Sequence, residues 1–229
     1  MAAKDMYVNV SGTWKKVIKP HTKVAGTWKR VKLIYQRIGG VWKKLYEYKT
    51  PAGSQTFTTL GAMSFTVPEG IYTLKVSMAS GGGAGGGGNN GGEGGGGGGG
   101  GGGYSQEPYA VTPGQVINGF VGAGGTATDY NAKGEDGQST TFGMLTTTGG
   151  QGGWGQDGGF AGGNGGTPSG QNGGANFGPG GNSGAGQGSG GAAGANGGLY
   201  GGGGGGWHND PAVPTAGVGA QGWIKVEWD

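Results

Sequence analysis

Two alternations of apolar and polar residues mark the strands on which the chain is framed. In 71–78, Tyr72, Leu74, Val76 and Met78 fall on one side and Thr73, Lys75 and Ser77 on the other. In 223–228, Ile224, Val226 and Trp228 oppose Trp223, Lys225 and Glu227. A period of two predicts half-buried β-strands. Shorter runs fit strands at 55–59, 64–67, 104–111 and 115–121, with a weaker one at 139–145. Pro68-Glu69-Gly70 and Thr112-Pro113-Gly114 supply turns. Together these predict one small β framework, closed by the last strand pairing beside 71–78.

A second pattern precedes the framework. Val10-Ser-Gly-Thr-Trp14-Lys-Lys-Val17 recurs as Val24-Ala-Gly-Thr-Trp28-Lys-Arg-Val31, and again as Ile38-Gly-Gly-Val-Trp42-Lys-Lys-Leu45. The three tryptophans stand 14 residues apart. That period is too short for a pair of helices and suits a β-arc or hairpin, bending at Gly12, Gly26 and Gly39-Gly40. Three readings fit the Trp-Lys-Lys/Arg rows. Trp14, Trp28 and Trp42 form the core of their repeats with the lysines solvated; or they stack on bases while the cations meet phosphate; or the rows are a basic docking face for an acidic partner. The first is preferred, because the repeats hold few other large apolar residues. Pro51 and Gly53 punctuate a hinge in 48–54, so we divide the chain into a basic repeat module, 1–50, and a second domain, 51–229.

Composition changes the picture of that second domain. From Gly81 onward 61 of 149 residues are glycine, with an unbroken run from 94 to 103. Glycine has no side chain to bury and loses the most backbone entropy on ordering. The region is therefore either a flexible polymer or is held by backbone contacts that only glycine permits. Order is favoured. Trp154, Phe160, Phe177, Tyr200 and Trp207 interrupt the glycine, and the ends are pinned by strands. Much of the run also reads in threes, as in Gly149-Gly150-Gln151 and Gly152-Gly153-Trp154. Three is the period of a polyproline II-type helix, whose N–H and C=O groups point outward. Collagen is excluded, because the phase slips and the chain has only nine prolines. The predicted fold class is mostly β with little or no α-helix: a short β-repeat module, then a small β framework carrying a packed bundle of polyglycine II-type helices.

Charge is uneven. Residues 1–50 carry 12 Lys+Arg against Asp5 and Glu47, about +10; residues 51–229 carry three lysines against ten acids, about −7. There is no cysteine, hence no disulfide or thiolate site. The N-terminus has no apolar signal-peptide core and no run approaches 18 apolar residues. We expect no membrane insertion and synthesis in a cytoplasm. His21 and His208 lie in different modules, no nucleophile elbow is present, and G-x-G-x-x-G matches carry no weight in so glycine-rich a chain. Gly152–Asp157 matches the start of a calcium nonapeptide, but no second copy follows. No enzyme activity, cofactor or metal is expected.

Recognition candidates are the islands in the glycine: Asn89, Asn90, Tyr130, Trp154, Phe160, Phe177, Tyr200, Trp207, His208 and Asn209. Aromatic and Asn clusters give rigid contact area with adaptable hydrogen bonds; the alternative is that some anchor the bundle to the strands. Trp207–Asn209 and Trp154 lead the set, whereas Trp223 and Trp228 are assigned to structure.

The order FTVPEGIYTLKVSM, a glycine run, YAVTPGQVINGFVGAGG, STTFG, more glycine and a closing GWIKVEW resembles the glycine-rich domain of tail-fibre and receptor-binding proteins of tailed bacteriophages, over about 54–229. The turn Thr112–Gln115 with Val116–Gly125 is its most specific part. The resemblance implies a fibre-tip adhesin in which loops at the distal end of packed polyglycine-type helices touch a host surface receptor, an outer-membrane protein or glycan. It also implies another phage tail or fibre protein as partner, several copies per virion and location in the virion tail. Residues 1–50 would attach, although they do not resemble the attachment domain of T-even adhesins. Alternatives are a structural tail-tip or decoration protein without a receptor, a nucleic-acid binder through 10–49, and an ice binder, which would want a regular polar face that the sequence lacks.

Overall fold

A computed structural model of the chain describes residues 7–17, 20–88, 96–127, 132–155, 159–184, 187–207 and 216–229. It divides into two compact units, Met1–Pro51 and Ala52–Asp229. The described residues are mostly β, with no α-helix among them.

The first unit holds three hairpins: β1 (Tyr7–Val10) with β2 (Thr13–Lys16), β3 (His21–Val24) with β4 (Thr27–Arg30), and β5 (Leu33–Ile38) with β6 (Val41–Glu47). Each turns through two residues of positive φ: Ser11 and Gly12, Ala25 and Gly26, Gly39 and Gly40. Two successive left-handed residues make the mirror-image turn whose twist suits adjoining strands. Each bend therefore falls where the sequence repeat has its glycine. The hairpins do not pair into one sheet. Val31 N–H donating to Pro20 O (2.8 Å) extends the second hairpin by one pair and Tyr48 N–H donating to Lys32 O (2.9 Å) extends the third, while the Arg30 guanidinium, 4.2 Å over the Tyr48 ring, links these two hairpins.

One expectation is corrected in this unit. Trp14, Trp28 and Trp42 do not form a core; they are 68%, 68% and 66% exposed. None of the described residues between 7 and 50 is buried. The physical reason is that a lone two-stranded hairpin has no layer to cover either face.

The second unit is built on two four-stranded sheets. One has the order β10 (Tyr104–Ala110), β9 (Thr73–Ala79), β14 (Trp223–Trp228), β7 (Gly53–Phe57); the other β13 (Leu145–Thr147), β12 (Thr140–Phe142), β11 (Val116–Val121), β8 (Gly61–Thr66). All neighbours are antiparallel. The last strand pairs with β9, Ile224 opposite Met78, as the alternating patterns predicted. The sequence's single strand at 139–145 is instead a hairpin bent at Gly143. Leu74, Val76, Met78, Ile224 and Val226 from the first sheet pack against Phe65, Ile117, Val121 and Phe142 from the second. Phe65 meets Phe57 edge-on, and its ring lies tilted 6.1 Å from that of Phe142 and 5.8 Å from that of Trp228.

Beyond the sheets the described residues of the glycine-rich chain form no α-helix or strand, yet their backbone is densely paired. In 80–87 the donors rotate among three neighbours with a period of three. Gly81, Ala84 and Gly87 donate to Gln138, Glu135 and Ala132; Gly82 and Gly85 to Ala220 and Gly217; Gly83 and Gly86 to Gly100 and Gly97. The segment 97–103 does the same, towards 148–154, 171–174 and 201–204. So does 201–207, towards 178–181, 83–86 and the chain around 195. Counting bonds accepted as well, each of these three segments is bonded to six others, two of which are the other members of the trio. Among the described residues nine outer segments surround the trio in chain order: 122–125, 132–138, 148–154, 161–166, 170–174, 178–184, 188–192, 194–198 and 216–222. Each bonds to the next, and the last closes onto the first through Gly219 N–H to Gly125 O and Gly222 N–H to Gly122 O. Three central rods with nine around them is what hexagonal packing requires of three mutually adjacent centres. The described residues of the trio from 81 to 88, 96 to 103 and 201 to 207 are all buried.

Glycine is needed here for space. A Cβ built on Gly97, Gly100 or Gly204 would lie on the carbonyl of Ala161, Asn164 or Gly217. The seam between sheets and bundle is sealed by small hydroxyl residues. Buried Ser80 donates to Thr147 Oγ1 (2.5 Å) and accepts from Thr140 N–H (3.3 Å), Thr140 Oγ1 accepts from Gly122 N–H (3.0 Å), and Ser183 donates to Gly102 O (3.2 Å). They satisfy backbone groups where sheet pairing gives way to the three-way pattern.

Candidate functional site

Topology separates the two ends of the bundle in the second unit. At the sheet end, β9, β11 and β13 run into the bundle at 80, 122 and 148, while 103, 138 and 222 lead out into β10, β12 and β14. The far end is where the chain reverses between 88 and 96, 127 and 132, 155 and 161, 174 and 178, 192 and 194, and 207 and 216. The hydrogen bonds nearest that end include Gly87 N–H to Ala132 O, Trp154 N–H to Ala161 O, Asn176 N–H to Phe160 O and Gly206 N–H to Gly178 O.

Trp154, Phe160 and Phe177 are all at this far end. Trp154 is 43% and Phe177 37% exposed, and Phe160 is half-buried. Phe160, Asn176 and Phe177 have φ of 57°, 43° and 54°. Left-handed backbone costs a residue with a Cβ roughly 1–2 kcal/mol relative to the right-handed form. A chain with 68 glycines has the cheaper residue to hand, yet two aromatics occupy these positions. Phe160 and Phe177 are brought together through the bond from Asn176 to Phe160 O (3.1 Å).

Beside Trp154 lies a charged pair that the sequence reading missed. Lys133 Nζ stands 5.3 Å from the Trp154 ring centroid and 2.5 Å from Asp136 Oδ1. Asp136 Oδ1 also accepts from Gly152 N–H (2.8 Å). Burial pushes the Asp136 carboxyl up, but the hydrogen bonds from Lys133 and Gly152 outweigh it and hold the carboxyl below its usual range. The spacing of Lys133 and Asp136 in the sequence was the one available signal; their meeting with Trp154 depends on the bonds from 134 and 137 to 153 and 150.

Two candidates are corrected. Trp207 is buried, with its ring over Gly88 and its backbone N–H donating to Gly86 O (3.1 Å). It ends a central segment, so its ring closes the top of the buried trio and is not offered outward. Tyr200 is at the opposite end, its ring 5.7 Å from that of Trp223 where β14 begins; it anchors bundle to sheet. Trp223 and Trp228 are structural as assigned. Trp223 is 9% exposed, and the Trp228 ring covers Gly53. Asn89, Asn90, Tyr130, His208 and Asn209 lie outside the described residues.

No group of three or more His, Cys, Asp or Glu able to hold a metal occurs among the described residues. No described helix is long and apolar enough to cross a membrane.

A family model for a glycine-rich domain matches residues 57–226. The chain belongs to the glycine-rich domain family. Its matched span runs from the end of β7 to within β14, so it takes in seven of the second unit's eight strands in whole or part beyond β7 and all of the bundle. Comparison with curated protein sequences found no match.

Proposed function

We propose that this member of the glycine-rich domain family is a bacteriophage tail or fibre-tip adhesin, carried in the virion, that binds a receptor on the host bacterial surface through the far end of its bundle. The observation that carries the reading is the pair Phe160 and Phe177 on left-handed backbone beside exposed Trp154. Structural side chains would not be placed at a cost where the described backbone of the bundle is already densely hydrogen-bonded. In the same reading the glycine segments are polyglycine II-type helices, which the three-way hydrogen bonding supports. Recognition then rests on Trp154, Phe160 and Phe177, whose backbone is hydrogen-bonded beforehand, which lowers the ordering cost of binding. Residues 1–50 attach the protein to another tail or fibre protein, and several copies per virion multiply a modest affinity.

Adsorption of labelled full-length protein to a panel of bacterial strains tests this. The expected result is saturable binding to particular strains, reduced about tenfold or more by Trp154→Ala with Phe177→Ala, without loss of thermal stability. Absence of binding to every host of the parent phage would leave the structural virion role as the better reading.

A further inference from the structure

The three N-terminal hairpins share more than a repeated tryptophan. Strand register places Trp14, Trp28 and Trp42 on one face of their hairpins together with a cation two residues on: Lys16, Arg30 and Lys44. Opposite those cations, on the same face, stand Tyr7, His21 and Tyr35, again 14 residues apart. Val10, Val24 and Ile38 recur on the other face, and all three are at least 45% exposed. Both faces of every hairpin thus carry apolar groups in the open, and none of the described residues from 7 to 50 is buried.

We propose that residues 7–50 are an unfinished fold, completed when the hairpin faces close on the surface of an acidic protein. This rests on the attachment role given above to residues 1–50, and is independent of the receptor. Exposed apolar area on this scale marks an interaction surface, and paired two-stranded ribbons need a further layer for stability. The charge of about +10 on residues 1–50 selects the partner's sign. It also argues against a second copy of the same module, which would bring together two such charges. Nucleic acid answers the cations and tryptophans but leaves the Val10, Val24 and Ile38 faces without an apolar surface to cover them. A protein surface with an apolar centre and an acidic rim answers both. Three equivalent hairpins on one chain offer the partner three linked footholds, so loss of one weakens attachment and loss of all removes it.

The test uses full-length protein and three defined probes: a random glutamate–tyrosine copolymer, polyglutamate, and double-stranded DNA at matched charge. The expected result is binding to the copolymer at least about fivefold tighter than to polyglutamate or DNA, because only it offers both negative charge and apolar rings. Combined Trp14→Ala, Trp28→Ala and Trp42→Ala lowers copolymer binding at least about tenfold, with each single change giving a smaller, similar loss. Combined Lys15→Glu, Lys29→Glu and Lys43→Glu, which leaves every apolar residue in place, does the same and guards against the tryptophan variant simply losing its hairpins. Trp154→Ala leaves copolymer binding unchanged, so failure here is distinct from failure of the receptor reading. Equal or tighter binding to DNA, equal binding to polyglutamate, or tryptophan-dependent self-association in sedimentation velocity would each overturn the proposal.

Discussion

Glycine occurs in both units of this chain and has a different task in each. In the hairpins it is a matter of dihedral angle. Gly12, Gly26 and Gly40 have φ near +83° with nothing within 4 Å of a Cβ built on them. In the bundle it is a matter of space. Gly97 and Gly100 do not have left-handed φ, yet a Cβ on either would collide with a carbonyl of the neighbouring segment. Some of the tryptophans differ in the same way. Hairpin tryptophans are open to solvent, whereas Trp207 and Trp223 in the glycine-rich unit are buried. One unit has side chains without a layer to cover them, and the bundle of the other, beyond its sheets, has an interior almost without side chains. Backbone pairing substitutes for side-chain burial only when chains approach closely enough to bond to six neighbours, and that closeness is what glycine alone allows.

The contrast can be broken most directly at its strongest point. Gly100→Ala is expected to destabilise the second unit by about 3 kcal/mol or more, because a backbone carbonyl cannot yield as a side chain can. Urea unfolding followed through the buried tryptophans measures it; a loss under about 1 kcal/mol would mean that the trio is not packed this tightly. The control is Gly26, where Ala should cost about 1 kcal/mol and Asn only a few tenths, since asparagine tolerates left-handed backbone. Asn at position 100 should be no better than Ala. If Asn rescues equally at both positions, the two glycines do the same job and the comparison fails.

Aromatic truncations sharpen it next. Trp207→Ala should cost about 3 kcal/mol as a large-to-small change in a buried site, and Trp28→Ala less than about 0.5 kcal/mol, as for an exposed residue. Parallel thermal melts would show a fall of several degrees for the first and almost none for the second.

The smallest expected effect is electrostatic. Asp136 has a lowered pKa in the folded protein, so it binds its proton less readily there than in the unfolded chain. Its contribution is present above the ordinary value of 3.8 and is lost as pH falls below that value through the lowered folded one. The side chain is 53% exposed, so screening keeps the effect small. Asp136→Asn should lower the melting temperature slightly at pH 7, and the difference from wild type should shrink towards pH 3. A difference that grows on acidification would reverse the assigned sign.

Several features were legible in the sequence. The hairpin bends followed from Gly12, Gly26 and Gly39-Gly40, because a two-residue turn of this hand requires left-handed backbone. The pairing of β14 with β9 followed from matched alternation at 71–78 and 223–228. The period of three in the glycine anticipated hydrogen bonds that rotate among neighbours. What the sequence left open was which side chain meets which surface. Trp207 and Trp154 both stand among glycine and polar residues, and local sequence ranks them alike. One ends a central segment and the other ends a segment of the outer ring, so one is buried over Gly88 and the other is half open beside Lys133.

The same holds for Tyr200, sent to the sheet end by the number of reversals before it, and for Trp14, Trp28 and Trp42, whose apolar character suggested a core that no second layer supplies. Sequence by itself determined the local choices: where the chain bends, which stretches alternate, and where backbones can come close enough to bond. Those depend on steric limits within a residue and its immediate neighbours. Only the tertiary structure decided which three segments lie in the middle and which aromatics face out. Those depend on how nine segments close into a ring of bonds around three others, and no single segment carries that information.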